Sequence, residues 1–89
     1  MKAVGTLIKL AKAEIDALQL QLAEAAAAVR AAAAALAATE AGFAAETRAA
    51  SGDPLALLGY PGYAARTKAA IGNQERTCAG ERAVEAHLR

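Results

Sequence analysis

The chain has 89 residues, enough for one small domain but short for a thick globular core. Hydrophobic residues make up 56% of it and aromatic residues only 3%, because about a third of the positions are alanine, the best helix former. Ten basic residues against nine acidic ones give a formal net charge of +1, without the basic stripe of a nucleic-acid-binding protein. We therefore expect one all-α domain over residues 1–89 and no nucleic-acid partner.

A heptad repeat predicts the first helix, over about residues 3–50. Large apolar residues recur every seven positions, and an alanine-rich set accompanies them at a spacing of three and four. The first set is Ile8, Ile15, Leu22, Val29, Leu36 and Phe43, and the second is Val4, Ala11, Leu18, Ala25, Ala32 and Thr39. Such spacing is typical of a helix that supercoils against a neighbouring helix.

The repeat stops at a cluster of turn residues, which predicts the tip of a hairpin over about residues 51–62. Gly52 suits a helix end in the left-handed conformation, Asp53 suits an N-cap, and Pro54 suits the first position of a short helical turn. A second break is expected at Pro61 and Gly62. Leucines 55, 57 and 58 near this tip, with the two tyrosines, could bind a partner or could cap the helix ends.

A second, shorter helix is predicted over about residues 63–89, folded back on the first as an antiparallel coiled coil. Its apolar stripe is weaker and includes Thr67, Gln74 and Glu81, and glycines at 72 and 80 lower its helix propensity. The residues expected in the seam between the helices are Val29, Leu36, Ile71, Val84 and Leu88.

The two helices differ in length, and this predicts an uncovered segment. At 1.5 Å per residue the first helix is roughly 70 Å long and the second about 40 Å. A helical stripe without an intramolecular partner marks an interaction site, unless the second helix continues in a longer protein. The expected partner-binding residues are Val4, Ile8, Ile15, Leu18 and Leu22.

Catalysis, metals and cofactors are not expected. His87 has no second ligand three or four residues away, and no nucleophile stands beside a base. The single cysteine, Cys78, is expected to be a packed residue in a reducing, cytoplasmic setting. The most apolar run, residues 25–38, contains Arg30 and is too short to span a bilayer, so direct membrane insertion is not expected.

The spacing of several residues resembles the flagellar FliJ family. Near the N-terminus the pattern is Leu7-x-x-Leu10-x-x-x-Glu14, followed by Leu18 and Leu22. After the tip, Tyr60-x-x-Tyr63-x-x-x-Thr67-x-x-x-Ile71-x-x-Gln74 is similar to the family's aromatic-x-x-aromatic-x-x-x-Leu-x-x-x-Ile stretch, with Thr67 in place of the leucine.

This resemblance implies a coiled-coil stalk of the flagellar type III protein export apparatus in a bacterium. Its partners would be the export ATPase ring, the export-gate protein and export chaperones, and it would be cytoplasmic, peripheral to the membrane export machinery. The ATPase ring would bind the N-terminal stripe, Val4, Ile8, Ile15, Leu18 and Leu22. The gate contact would include Thr39, Phe43, Tyr60, Tyr63, Thr67, Ala70 and Gln74.

Two other functions remain open from the residues alone. One is a structural or adaptor coiled coil that self-associates through residues 4–22. The other is an amphipathic helix lying on a membrane surface, although Glu14, Asp16 and Glu24 dilute the basic face that such helices use.

Overall fold

The computed structural model describes residues 2–89 and consists of two α-helices packed against each other. Helix α1 spans Lys2–Ser51 and helix α2 spans Ala56–Leu88. They form a rod with extents of 81 × 16 × 14 Å. The helical hairpin predicted from the sequence is therefore confirmed, since the described residues contain no other regular element.

The connection between the helices is shorter than the sequence predicted. Asp53 accepts two hydrogen bonds just ahead of α2: its Oδ1 accepts from the Leu55 N–H at 3.0 Å, and its carbonyl accepts from the Leu57 N–H at 3.2 Å. These bonds form a turn through Pro54 that leads into α2, whose own N-cap residue, Leu55, makes no side-chain capping bond. The connection comprises residues 52–55 only.

Two details of the predicted tip were wrong. Pro61 and Gly62 do not break the chain but lie inside α2, where Tyr60 and Tyr63 on either side of the proline pack on Phe43. Gly52 does not take the left-handed conformation, because no glycine in residues 2–89 has a positive φ. Instead α1 ends in a tight turn in which the N–H groups of Gly52 and Asp53 donate to the carbonyls of Ala49 and Ala50, each at 3.2 Å.

The interface between the helices is thin and consists mainly of small side chains. Among residues 2–89, only Ala25, Ala50, Ala64 and Cys78 are buried. Larger residues are half-buried along the contact, among them Leu22, Val29, Leu36, Phe43, Ile71 and Leu88. Alanine leaves little side chain between the helix axes, so the helices approach closely and bury little apolar area per residue.

The five residues predicted for the seam differ in exposure. Val29, Leu36, Ile71 and Leu88 are half-buried, whereas Val84 is 52% exposed. The inward position belongs to the next residue, Glu85, because a spacing of four after Glu81 keeps α2 on its heptad. Cys78 is 2% exposed, as expected for a packed residue.

Helix α1 contains a stretch of 18 residues that is long and apolar enough, by length and composition alone, to cross a bilayer. Core helices of soluble proteins and N-terminal signal sequences share this character. Here the apolar character comes largely from alanine, which contributes much less to insertion than leucine or isoleucine.

Candidate functional site

The most prominent candidate site is the N-terminal part of α1, residues 2–21, which we call the overhang. Every residue of the overhang is exposed. Its large seam residues are between 51% and 63% exposed: Val4, Ile8, Ile15 and Leu18. Leu22, which was predicted to belong to the same surface, is half-buried and forms the boundary with the hairpin.

The register of the hairpin explains where the overhang begins. The Oγ1 of Thr47 lies 2.7 Å from the hydroxyl of Tyr60, so these two residues stand at the same level along the rod. In antiparallel helices each step back along one is matched by a step forward along the other. Val29 then lies at the level of Cys78, and Leu88 at about the level of residue 19. Residues N-terminal to that level have no second helix beside them.

The overhang carries the same heptad as the covered part of α1. We call the heptad set that contains Ile8 the a positions and the set that contains Val4 the d positions. From Leu22 to Phe43 every a and d position of α1 is half-buried or buried, and the a and d positions of the overhang continue the same line without a break. The exposed stripe of the overhang is therefore in phase with the stripe that α2 covers. Three further leucines, Leu7, Leu10 and Leu20, are exposed on it beside or opposite the stripe.

A second candidate site is an open groove along the hairpin, near the tip. It has a volume of about 450 Å³ and is lined by Thr39, Gly42, Tyr63, Arg66, Thr67 and Ala70. Four of these were predicted as contacts for the export gate. Arg66 and Gly42 were not predicted; they flank the seam, and only the register of the two helices reveals that they face the same groove.

The remaining predicted gate residues divide between an aromatic cluster and the seam. Phe43 stacks on Tyr60 and Tyr63, with ring centroids 6.5 and 6.2 Å apart. Gln74 points into the interface, where its Oε1 is buried without a hydrogen-bond partner among the described residues. The groove and the aromatic cluster share Tyr63 and form one continuous surface, while Gln74 contributes to packing.

The apolar residues near the tip were expected either to cap the helix ends or to bind a partner, and the structure places the tyrosines and the leucines differently. Both tyrosines pack on Phe43 and are half-buried, as a cap would be. The leucines do not follow them: Leu55 and Leu58 are 78% and 82% exposed, and Leu57 is 47% exposed. The cap is therefore aromatic, and an apolar patch remains outside it.

Residues 2–89 contain no group of three or more histidine, cysteine or acidic side chains that could hold a metal ion. An ion pair in this part of the chain, between Arg89 and Glu85 at 3.2 Å, is local to one turn of α2.

Comparison with known proteins does not assign the chain to a family. No protein-family model matches the sequence, and neither the curated proteins nor the solved structures include a significant match.

Proposed function

We propose that this protein is a helical-hairpin stalk that binds another protein through its overhang. The observation that carries the proposal is the unbroken heptad of α1, covered by α2 from Leu22 onward and exposed over residues 2–21. Burying a large aliphatic side chain contributes about 1.5–3 kcal/mol, so a helix laid on Val4, Ile8, Ile15 and Leu18 gains substantial free energy. Because the overhang is already helical, little ordering opposes binding.

The specific form of this proposal is a FliJ-like component of the flagellar export apparatus. The resemblance in residue spacing supports it, and the asymmetric hairpin is compatible with it. In this role the overhang enters the ring of the export ATPase and the hairpin body couples the ring to the export gate. The protein itself performs no catalysis.

Binding to the ATPase is tested directly with the purified enzyme. Adding the wild-type chain is expected to stimulate ATP hydrolysis and to promote hexamers, measured by phosphate release and by light scattering. The double variant Ile8→Gln, Ile15→Gln should weaken binding at least about tenfold, because two large apolar contacts are lost. Leu10→Gln, Leu20→Gln is the matched control, since both leucines are exposed but lie off the stripe.

Two results would count against this role. If the wild-type chain neither binds nor stimulates the ATPase, the export-stalk form is wrong. If both double variants bind equally well, the stripe is not the contact surface.

The groove near the tip is the proposed contact with the export gate. Ala70 is exposed and lines the groove, whereas its neighbour Ala69 is exposed outside it. Ala70→Arg places a long charged side chain across the groove and should reduce binding to the cytoplasmic domain of the gate protein, measured by calorimetry. Ala69→Arg should leave binding unchanged. Equal binding by both variants would exclude the groove as the contact.

A second candidate function is a structural coiled coil that self-associates through residues 4–22. The exposed stripe favours it equally, because the occupant of a heptad face is another heptad face. The two functions differ in what covers the overhang, a different protein or a second copy. The export chaperones implied by the resemblance would be further hetero-partners.

A further inference from the structure

We propose that two copies of this chain pair through their overhangs in an antiparallel register, with Ile8 against Ala11 and Ile15 against Val4 of the second copy. The proposal rests on the proposed role of the overhang as a helix-binding surface, and it names the occupant. The product is a dimer in which two hairpins lie end to end along one continuous rod.

The geometry of α1 requires the antiparallel direction. Helix α1 is one continuous helix from Lys2 to Ser51, and α2 occupies its seam from about the level of residue 19 to the tip. A second copy laid parallel and in register would drive its own residues 20–51 into the space that α2 holds. An antiparallel copy leaves the overhang in the opposite direction, away from α2 of the first copy.

The heptad and the position of α2 together select the register. In antiparallel coiled coils an a residue of one helix faces a d residue of the other. Pairing Ile8 with Ala11 and Ile15 with Val4 gives four such layers about a two-fold axis, and it keeps residues 2–18 of each copy clear of the other copy's α2. Sliding the copies together by one heptad would place Val4 at the level of Leu22, which α2 already covers.

Charge and side-chain size favour the same register. Outside the layers, Lys12 lies beside Gly5 of the second copy and Glu14 beside Leu7, so no like charges meet. The register one heptad away would place Lys12 against Lys12 and Glu14 against Glu14, and such pairs oppose association. In the proposed layers Ile8 meets the small Ala11, an alternation of large and small side chains that fills a close interface.

This dimer continues an interface that the protein already uses. The second copy's α1 lies on the line that α2 occupies in the hairpin, and in the same antiparallel sense. Because only one helix fits on this line, the dimer and a complex with a hetero-partner exclude each other. A hetero-partner of the overhang therefore has to displace the second copy.

The oligomeric state tests the dimer. Light scattering of the full chain from about 5 to 500 µM is expected to show a rise from 9.0 kDa towards twice that mass, since an interface this small gives a weak dimer. Small-angle scattering distinguishes the shape: two 81 Å rods that share about 27 Å of overhang reach about 135 Å. A monomer at every concentration overturns the proposal, as does a dimer no longer than one hairpin.

Disulfide trapping tests the direction and register. In a Cys78→Ala background, Ile8→Cys and Ala11→Cys are made in separate chains, mixed and oxidised. The mixture should give a crosslinked heterodimer, and each variant alone should crosslink at least about tenfold less. Efficient crosslinking of Ile8→Cys alone indicates a parallel pair, and preferential crosslinking of Ile8→Cys to Leu18→Cys indicates the shifted register. Either result overturns the proposal.

A charge variant links the dimer to the stripe. Ile15→Glu should abolish the concentration-dependent rise in mass, while Leu20→Glu, on the opposite side of the helix and 61% exposed, should keep it. Equal loss in both variants would overturn the proposed interface.

The dimer and the export-stalk role can fail independently. If the overhang binds the export ATPase but the chain never dimerises, this inference fails and the proposed function stands. Dimerisation without ATPase binding supports the inference and removes the export-stalk role.

Discussion

Gln74 is the residue at which the interface departs most clearly from an apolar seam. Its side chain occupies a d-type position of α2, and its Oε1 is buried without a partner in the described chain. At this level α1 presents Ala32 and Ala33, whose methyl groups cannot donate a hydrogen bond. A buried polar atom left without a partner costs about 1–3 kcal/mol. Gln74 therefore weakens the pairing of the helices.

Replacing this amide with an apolar group of similar size should stabilise the hairpin. Gln74→Leu is expected to raise the free energy of unfolding by about 1 kcal/mol, which corresponds to roughly 4–8 °C in the melting temperature of a domain this small. Circular dichroism at low protein concentration measures the shift. The same substitution at exposed Gln21 should change the melting temperature little. A lower melting temperature for Gln74→Leu would show that the amide has a partner in solution.

The aromatic cluster near the tip has the opposite effect. Phe43 contacts both tyrosines, and the Tyr60 hydroxyl hydrogen-bonds Thr47 on α1 at 2.7 Å. Stacked aromatic pairs contribute about 0.5–1.5 kcal/mol beyond the area they bury. These contacts also fix the level of α2 against α1, so the cluster sets the register on which the length of the overhang depends.

At the scale of the element, α2 is a helix that continues through a proline. Pro61 is the sixth residue of α2, beyond the first turn, where it cannot donate the bond that an N–H would make to the carbonyl of Leu57. The helix is nevertheless continuous because Tyr60 and Tyr63, on either side of the proline, pack on Phe43. Tertiary contacts here override local propensity.

Removing this proline should stabilise α2. Pro61→Ala restores one helical hydrogen bond and relieves the crowding of the preceding turn, so the free energy of unfolding should rise by about 1–3 kcal/mol. Pro54→Ala is the control, because Pro54 precedes the first turn and loses no such bond; its effect should stay within about 0.5 kcal/mol. Urea denaturation followed by circular dichroism measures both. A destabilised Pro61→Ala variant would contradict the helical path through Pro61.

The half of α2 away from the tip has a more polar seam than the half near it. Glu81 and Glu85 occupy inward positions there and are half-buried. Carboxylates at such positions contribute aliphatic stems but keep their charged ends hydrated. Small residues supply the burial in this half instead, since Cys78 is 2% exposed and Ala25 on α1 is 7% exposed.

The molecule as a whole is a rod with two parts: the zipped part, in which α2 packs along α1, and the overhang, which is a single helix. Its cross-section of 16 × 14 Å leaves no room for a core beyond one layer of side chains. Stability is consequently local, since each layer contacts only its neighbours along the rod. A substitution in the overhang should not affect the zipped part of a monomer, and the reverse should also hold.

This separation gives a test that compares two positions of the same heptad set. Leu36→Ala, in the zipped part, should lower the free energy of unfolding by about 1–3 kcal/mol. Ile15→Ala, in the overhang, should change it by less than about 0.5 kcal/mol, because Ile15 contacts no second helix in the monomer. Chemical denaturation at low micromolar concentration measures both. A large loss in Ile15→Ala would show that another segment covers the overhang.

The candidate site was predictable where it depends on periodicity. The spacing of Val4, Ile8 and Ile15 was sufficient to predict an exposed stripe at the end of the longer helix. The groove was predicted only in part: Thr39 and Tyr63 were expected on one surface, whereas Arg66 was not. Which residues flank a seam on the same side depends on the rotation of each helix, which a periodic pattern leaves uncertain by about one position.

The two helices, the heptad of α1 and the turn at Asp53 could be predicted from the sequence, because they follow from local spacing and local hydrogen bonds. The path of α2 through Pro61 could be seen only in the folded hairpin, since it depends on aromatic packing against Phe43. The same holds for the inward position of Glu85 in place of Val84. Helix rotation is set by the sum of contacts along the interface, and a single apolar residue does not outweigh the other layers.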